Sequence, residues 1–167
     1  AIEISEIFDG LGASVNAATG KESTHLHARF LDTHTEGAFD LLAEMLLAPA
    51  LPEDEIDSER EVVLEEIAMY EDEPQDKVHD VLSTAVFGHH PLGRPVIGRG
   101  EVIGKLTAGD VAGYHDNSYV PPAIVVAAAG NLEHGRIQEL AAKFLQNDRD
   151  GARPSFTPPD ARQPSVL

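Results

Sequence analysis

Prolines at positions 49, 52, 74, 121 and 122 set helix limits along the middle of this chain before any packing is considered. Proline is tolerated in the first turn of a helix but not in its interior. Glu36 to Leu47 carries Phe39, Leu42, Ala43, Leu46 and Leu47 at helical spacing, with Pro49 just beyond, and predicts a core helix. Pro52 opens a longer helix to about Asp72, whose acidic PEDE start suits the positive end of the helix dipole. A third, from Gln75 to about Phe87, follows Pro74. Thr107, with Asp110 three residues on, predicts an N-cap for a helix ending near Tyr119, where Pro121-Pro122 enforces the stop. A last helix runs from about His134 to Leu145.

The flanks of this helical middle read differently. Ile2, Ile4, Ile7, Phe8 and Leu11 form an amphipathic pattern stopped by Gly10 and Gly12. Its start signal is missing, so a segment upstream of Ala1 is expected. ASVNAATG and STHLHARFL alternate as strands do, with Gly20-Lys21 as the hairpin turn between them. GHHPLGRPVIGRG, dense in Gly and Pro, predicts a loop, and AIVVAAAG (123–130) predicts a short strand buried on both faces. Strands, three successive helices, then helix, strand and helix predict an α+β layer rather than a regular βαβ array. From Asn147 the chain turns to Asp, Arg, Pro and Ser, which predicts a domain over 1–146 and a linker over 147–167 toward a following domain.

Composition narrows the function classes. The 167 residues fit one ordinary domain, and aromatics at 5% with no Trp require a core of Leu, Ile, Val and Ala. A net charge of −17 opposes nucleic acid, whose binding relies on Lys and Arg against phosphate, and would attract basic polypeptides or cations. Without cysteine there is no disulfide frame, thiolate zinc site or cysteine nucleophile. No apolar run approaches the roughly 20 residues that span a bilayer, so no membrane partner is expected. GxSxG, GxxxxGK[ST] and GxGxxG after a strand are all absent, and GLGAS is only a glycine pair at a helix end.

The acid-rich stretch EIDSEREVVLEEIAMYEDE is the most informative. At about 100° per residue, Ile56, Val63, Ile67 and Tyr70 share one stripe, while Asp57, Glu61, Glu65 and Met69 fall broadly opposite. Glu59 and Glu66 lie two turns apart at the edge of the apolar stripe, and are expected to point toward the core side. A carboxylate there needs compensation. It could form a salt bridge to Arg29, Arg60 or another base, sit at a boundary that reaches water, or ligate a metal with a supporting carboxylate beside it. His25 and His27 alternate on one strand face, a spacing that could chelate a metal but more often marks solvated polar side chains. His89-His90 belongs to the predicted loop, and His79, His115 and His134 join no constellation.

EREVVLEE, from Glu59 to Glu66, followed by IAMYEDEP, resembles the distal-glutamate segment of the M16 zinc peptidases, the insulinase and mitochondrial-processing-peptidase family. LGASVNAATGKEST, HDVLSTAVFGHHPLGRPVIG and YHDNSYVPPAIVVAAAGNL extend the resemblance over most of the chain. It implies an α+β fold with helices on an antiparallel or mixed sheet, incomplete because the first strands and an HxxEH helix would lie before Ala1. By residue-for-residue carry-over, Glu66 matches the third zinc ligand and Glu59 the acidic residue that supports the site. Asn16-Ala17 matches the edge segment that pairs with substrate backbone.

In HxxEH two histidines share a helix face and hold zinc while the glutamate activates water, so the implied activity is a zinc endopeptidase acting on extended or unfolded polypeptides. This chain alone is expected to be inactive, with a non-catalytic peptide-binding or partner subunit as the alternative. The resemblance further implies a second homologous domain or subunit and a bacterial-type cytoplasmic setting with the mitochondrial matrix left open, while the sheet edge left unpaired by missing strands is expected to associate with another chain, as a homodimer or through a non-native contact.

Overall fold

The computed structural model describes residues 2–145, 151 and 155–160. Helices dominate, and the described sheet is a two-stranded antiparallel hairpin, an α+β arrangement as expected. The elements are α1 (Ile2–Gly10), β1 (Ser14–Thr19), β2 (Thr24–Arg29), α2 (Thr35–Leu47), α3 (Glu53–Asp72), α4 (Pro74–Phe87), the single-turn α5 (Gly100–Ile103), α6 (Ala108–Ser118) and α7 (His134–Phe144). Among the described residues no helix is long and apolar enough to cross a membrane. The predicted linker from Asn147 falls largely outside the described residues.

The chain divides into two compact units. Unit 1 comprises Ala1–Ala18, Thr24–Ala50 and Tyr114–Pro154, and unit 2 comprises Thr19–Ser23, Leu51–Gly113 and Ser155–Leu167.

Unit 1 is built on α2 and α7. Ala38, Leu41 and Ala43 of α2, Leu140 of α7, Phe8 of α1 and Val120 are buried, each large side chain contributing roughly 1.5–3 kcal/mol. Phe39 and Phe144 add a tilted ring contact at 6.4 Å between centroids. Glu36 on α2 accepts from Arg136 at 2.5 Å and Lys143 at 2.8 Å, both on α7. The stop of α1 has a clear cause: Gly12, at φ 60°, lets Ala13 N–H reach Phe8 O at 2.9 Å and Gly12 N–H reach Asp9 O at 2.9 Å. This paired closure of the last turn favours glycine in the left-handed position.

The strand expected over 123–130 is not formed. Pro121–Ala123 is a 3₁₀ turn, and the residues after it run on with no ladder, leaving Val125 84% exposed. Among the described residues, 125–131 make no backbone hydrogen bond. The run is apolar and β-branched, but a strand exists only with a ladder partner. A cleft of about 550 Å³ flanks this segment, lined by Leu26, Phe30, Phe39, Leu42, Ile124 and Val126 among others.

Unit 2 centres on α3, where Ile67 is buried and Ile56, Arg60, Val63, Leu64 and Tyr70 are half-buried on the same stripe. Tyr70 donates to Asp76 O at 2.9 Å, and Arg60 donates to Leu106 O at 2.9 Å and to Asp57 at 2.5 Å. The α6 cap is reciprocal: Asp110 N–H donates to Thr107 Oγ1 at 3.2 Å, while Thr107 N–H and O–H donate to Asp110 Oδ2 at 2.9 and 2.6 Å. These bonds hold the Asp110 carboxyl below its ordinary range, with the hydroxyl bond the largest cause. Pro74 stands in the first turn of α4, one residue before the expected start at Gln75. That helix presents Val78, Val81, Leu82 and Val86 to solvent.

Candidate functional site

Helix α3 carries both singled-out glutamates. Seven residues separate them, so their backbones stand about 10 Å apart along the axis. Their expected core-side aim is corrected by the structure, because both side chains are exposed. The buried stripe centred on Ile67 is narrow, and Glu59 and Glu66 fall just outside it, on the flank shared with exposed Val62. At such a boundary a carboxylate keeps its hydration and needs no counter-ion. Arg60 is committed to Asp57 and the Leu106 carbonyl, and among the described residues Glu59, Glu66 and Arg29 have no ion-pair partner.

An exposed, unpaired carboxylate is a competent metal donor, since it has neither a bound cation to displace nor a fixed hydrogen bond to break. Glu66 therefore fits the chemistry of one zinc ligand. Among the described residues no three His, Asp or Glu side chains come together to hold a metal ion. His25 and His27 lie on the exposed face of β2, opposite half-buried Leu26 and Ala28, so the predicted shared face is present, and among the described residues no third donor joins it.

Asn16 and Ala17 are exposed on β1. The Asn16 carboxamide oxygen accepts the Ala17 N–H at 2.8 Å, an arrangement that occupies an edge donor with the chain's own side chain. These residues lie in unit 1 and the two glutamates in unit 2.

His90, read as a loop residue, is a positioning residue of that loop. Its Nδ1 accepts from Leu92 N–H at 3.2 Å, leaving Nε2 to donate to Thr157 O at 2.8 Å. Gly88 and Gly93 allow the tight return, and a Cβ on Gly93 would stand 2.5 Å from Gly88 O. Sequence reading missed a pocket that Arg94 and Arg99 border in this loop. The signal available was two arginines close together in an acid-rich chain.

Residues 1–100 match the family model described as Insulinase (Peptidase family M16). An uncharacterized zinc protease of Bacillus subtilis, YmxG, is 38% identical over 158 residues, covering 95% of this chain and 39% of its own length. A Streptomyces coelicolor relative, also named as an uncharacterized zinc protease, is 41% identical over 145 residues, or 86% of this chain and 32% of the relative. The chain thus spans about two fifths or less of the curated relatives it matches.

Among solved structures, a Helicobacter pylori protease superposes with a TM-score of 0.85 at 25% identity, over 97% of this chain and 39% of that one. A peptidase M16 inactive domain from Pseudomonas fluorescens gives 0.86 at 22% identity, over 94% and 39%, and speaks for the fold alone. Motifs, family model and fold agree: the chain belongs to the M16 (insulinase) peptidase family.

Proposed function

We propose that this chain is the part of a zinc-dependent endopeptidase that supplies one metal ligand, Glu66, and the substrate-pairing edge, Asn16-Ala17. The observation that carries the reading is Glu66 itself: the last glutamate of EREVVLEE, exposed on α3 and without a counter-ion among the described residues. Zinc, when bound, lowers the pKa of a coordinated water and polarises a peptide carbonyl. A catalytic zinc takes three protein ligands and keeps one position open, so two further donors must come from an HxxEH helix. Glu59, two turns earlier on the same flank, is the positioning residue that tunes the site electrostatically.

On β1, Asn16 releases the Ala17 N–H when an extended peptide pairs with the edge, and recognition rests on backbone rather than sequence. Extended or unfolded polypeptides are the natural substrates of such an edge. A second homologous domain or subunit closes over the site, and the acidic surface favours basic segments of substrate.

The test compares this 167-residue chain with a longer chain carrying HxxEH, measuring bound zinc and cleavage of an unstructured peptide with and without chelator. The short chain binds zinc weakly and cleaves nothing. The longer chain cleaves, and Glu66→Gln lowers its zinc affinity or activity by at least about 100-fold while Glu59→Gln lowers it by roughly 10–100-fold. Chelator-sensitive cleavage by the short chain, or full activity after Glu66→Gln, overturns the reading. A longer chain that binds peptide but neither zinc nor hydrolyses would instead be a non-catalytic M16 subunit.

A further inference from the structure

The cations of unit 2 are not treated alike. Arg60 is spent on Asp57 and Leu106, and Lys77 pairs with Glu71 at 3.2 Å. Lys21 donates to the Arg94 carbonyl. Arg94, Arg99 and Lys105 differ, because among the described residues none of these side chains has an ion pair or hydrogen bond, and the two arginines alone of the three border a common pocket. Among the described residues three guanidiniums, those of Arg29, Arg94 and Arg99, have no carboxylate partner. Two of them border one pocket of about 440 Å³, together with Thr84, Gly88, His89 and Gly93.

The backbone around this pocket is fixed even though the arginine side chains are not engaged. Arg94 N–H donates to Pro91 O at 3.0 Å, and Arg99 O accepts from Val102 and Ile103 at 2.9 Å each. Thr84 Oγ1 donates to Gly93 O at 3.3 Å, which ties α4 to the loop. Two planar donor forks on an anchored loop, with an exposed imidazole beside them, are suited to an oxyanion. The volume lies within the range of sites that take a small ligand or a ligand's end group.

We propose that this pocket binds a carboxylate of a polypeptide. Arg99 also borders a neighbouring pocket lined by Asp80, Glu101 and Glu71, of which Glu71 is paired with Lys77 of the same lining, so acids remain in excess there. Those acids penalise a phosphate dianion more than a carboxylate monoanion, so the carboxylate is the better fit. The site goes beyond the zinc reading and needs neither Glu66 nor a metal.

The experiment titrates the 167-residue chain at low salt with labelled hexapeptides of neutral sequence, read by fluorescence anisotropy. One peptide ends in a free carboxylate, one in an amide, and one in an amide with an internal Glu. Inorganic phosphate is added as competitor. At least one carboxylate-bearing peptide binds about tenfold or more tightly than the neutral amide. A free-end preference identifies a chain terminus as the source, and Glu-dependent binding identifies a side chain. Arg94→Gln and Arg99→Gln each weaken binding by about tenfold, whereas Arg94→Lys and Arg99→Lys, which keep the charge but lose the fork, weaken it less.

Amide shifts of Thr84, Gly88 and Gly93 on titration locate the site in the unsubstituted chain, so a variant that fails to fold does not end the test. Equal binding of the neutral amide, no effect of the Gln variants, no binding at all, or phosphate outcompeting the carboxylates overturns the proposal.

Discussion

Glu36 shows how one exposed side chain can join two helices. Its carboxylate on α2 takes Arg136 and Lys143 of α7, and Arg136 also reaches Glu139 at 3.2 Å. The Lys143 hydrogen bond, followed by the Lys143 and Arg136 charges, lowers the Glu36 carboxyl below its ordinary value of 4.5. A carboxyl depressed in the folded state stabilises the fold fully above that ordinary value. The contribution disappears as pH falls through the lower, folded-state pKa. Urea midpoints of the chain and of Glu36→Gln should therefore differ by a constant amount from neutral pH down to about pH 5, then converge on further acidification. A gap that stays unchanged into acid would show that the Glu36 charge is not what joins the two helices. Because the pair is exposed, the effect should shrink in salt as well.

At the scale of elements, what could be read from sequence is what local chemistry decides. The proline-bounded helices α2, α3 and α4 stand where the spacing puts them, and the cap of α6 is made by the predicted residues, Thr107 and Asp110. Gly12 stops α1 through its own backbone freedom. Two features were not legible because neighbours decide them. The inward aim of Glu59 and Glu66 depended on how wide a stripe α3 buries, and periodicity gives a direction without a width. The strand over 123–130 depended on a ladder partner that composition cannot supply. That segment makes a direct prediction: amide protons of 125–131 should exchange with solvent far faster than those of Leu41 or Leu140, whose helices are hydrogen-bonded and buried. Slow exchange across 125–131 in dilute solution would mean that a paired strand forms there after all.

For the whole molecule, charge opposes compaction. The sequence has 29 acidic against 12 basic residues, and the Lys and Arg ion pairs described are exposed at one or both partners. Exposed pairs contribute about 0–1 kcal/mol each and weaken with salt. The general repulsion of a −17 chain is weakened by the same ions, and the two effects have opposite signs. With a handful of such pairs against so large an excess of like charge, repulsion should win. Raising NaCl from about 10 mM to about 150 mM shortens the screening length from roughly 30 Å to roughly 8 Å, which removes long-range repulsion first and contact pairs last. Urea, being uncharged, reads this cleanly, and its midpoint should rise over that interval with an unchanged slope. A midpoint that falls would mean that the Glu36–Arg136–Lys143 cluster and its counterparts outweigh the net charge.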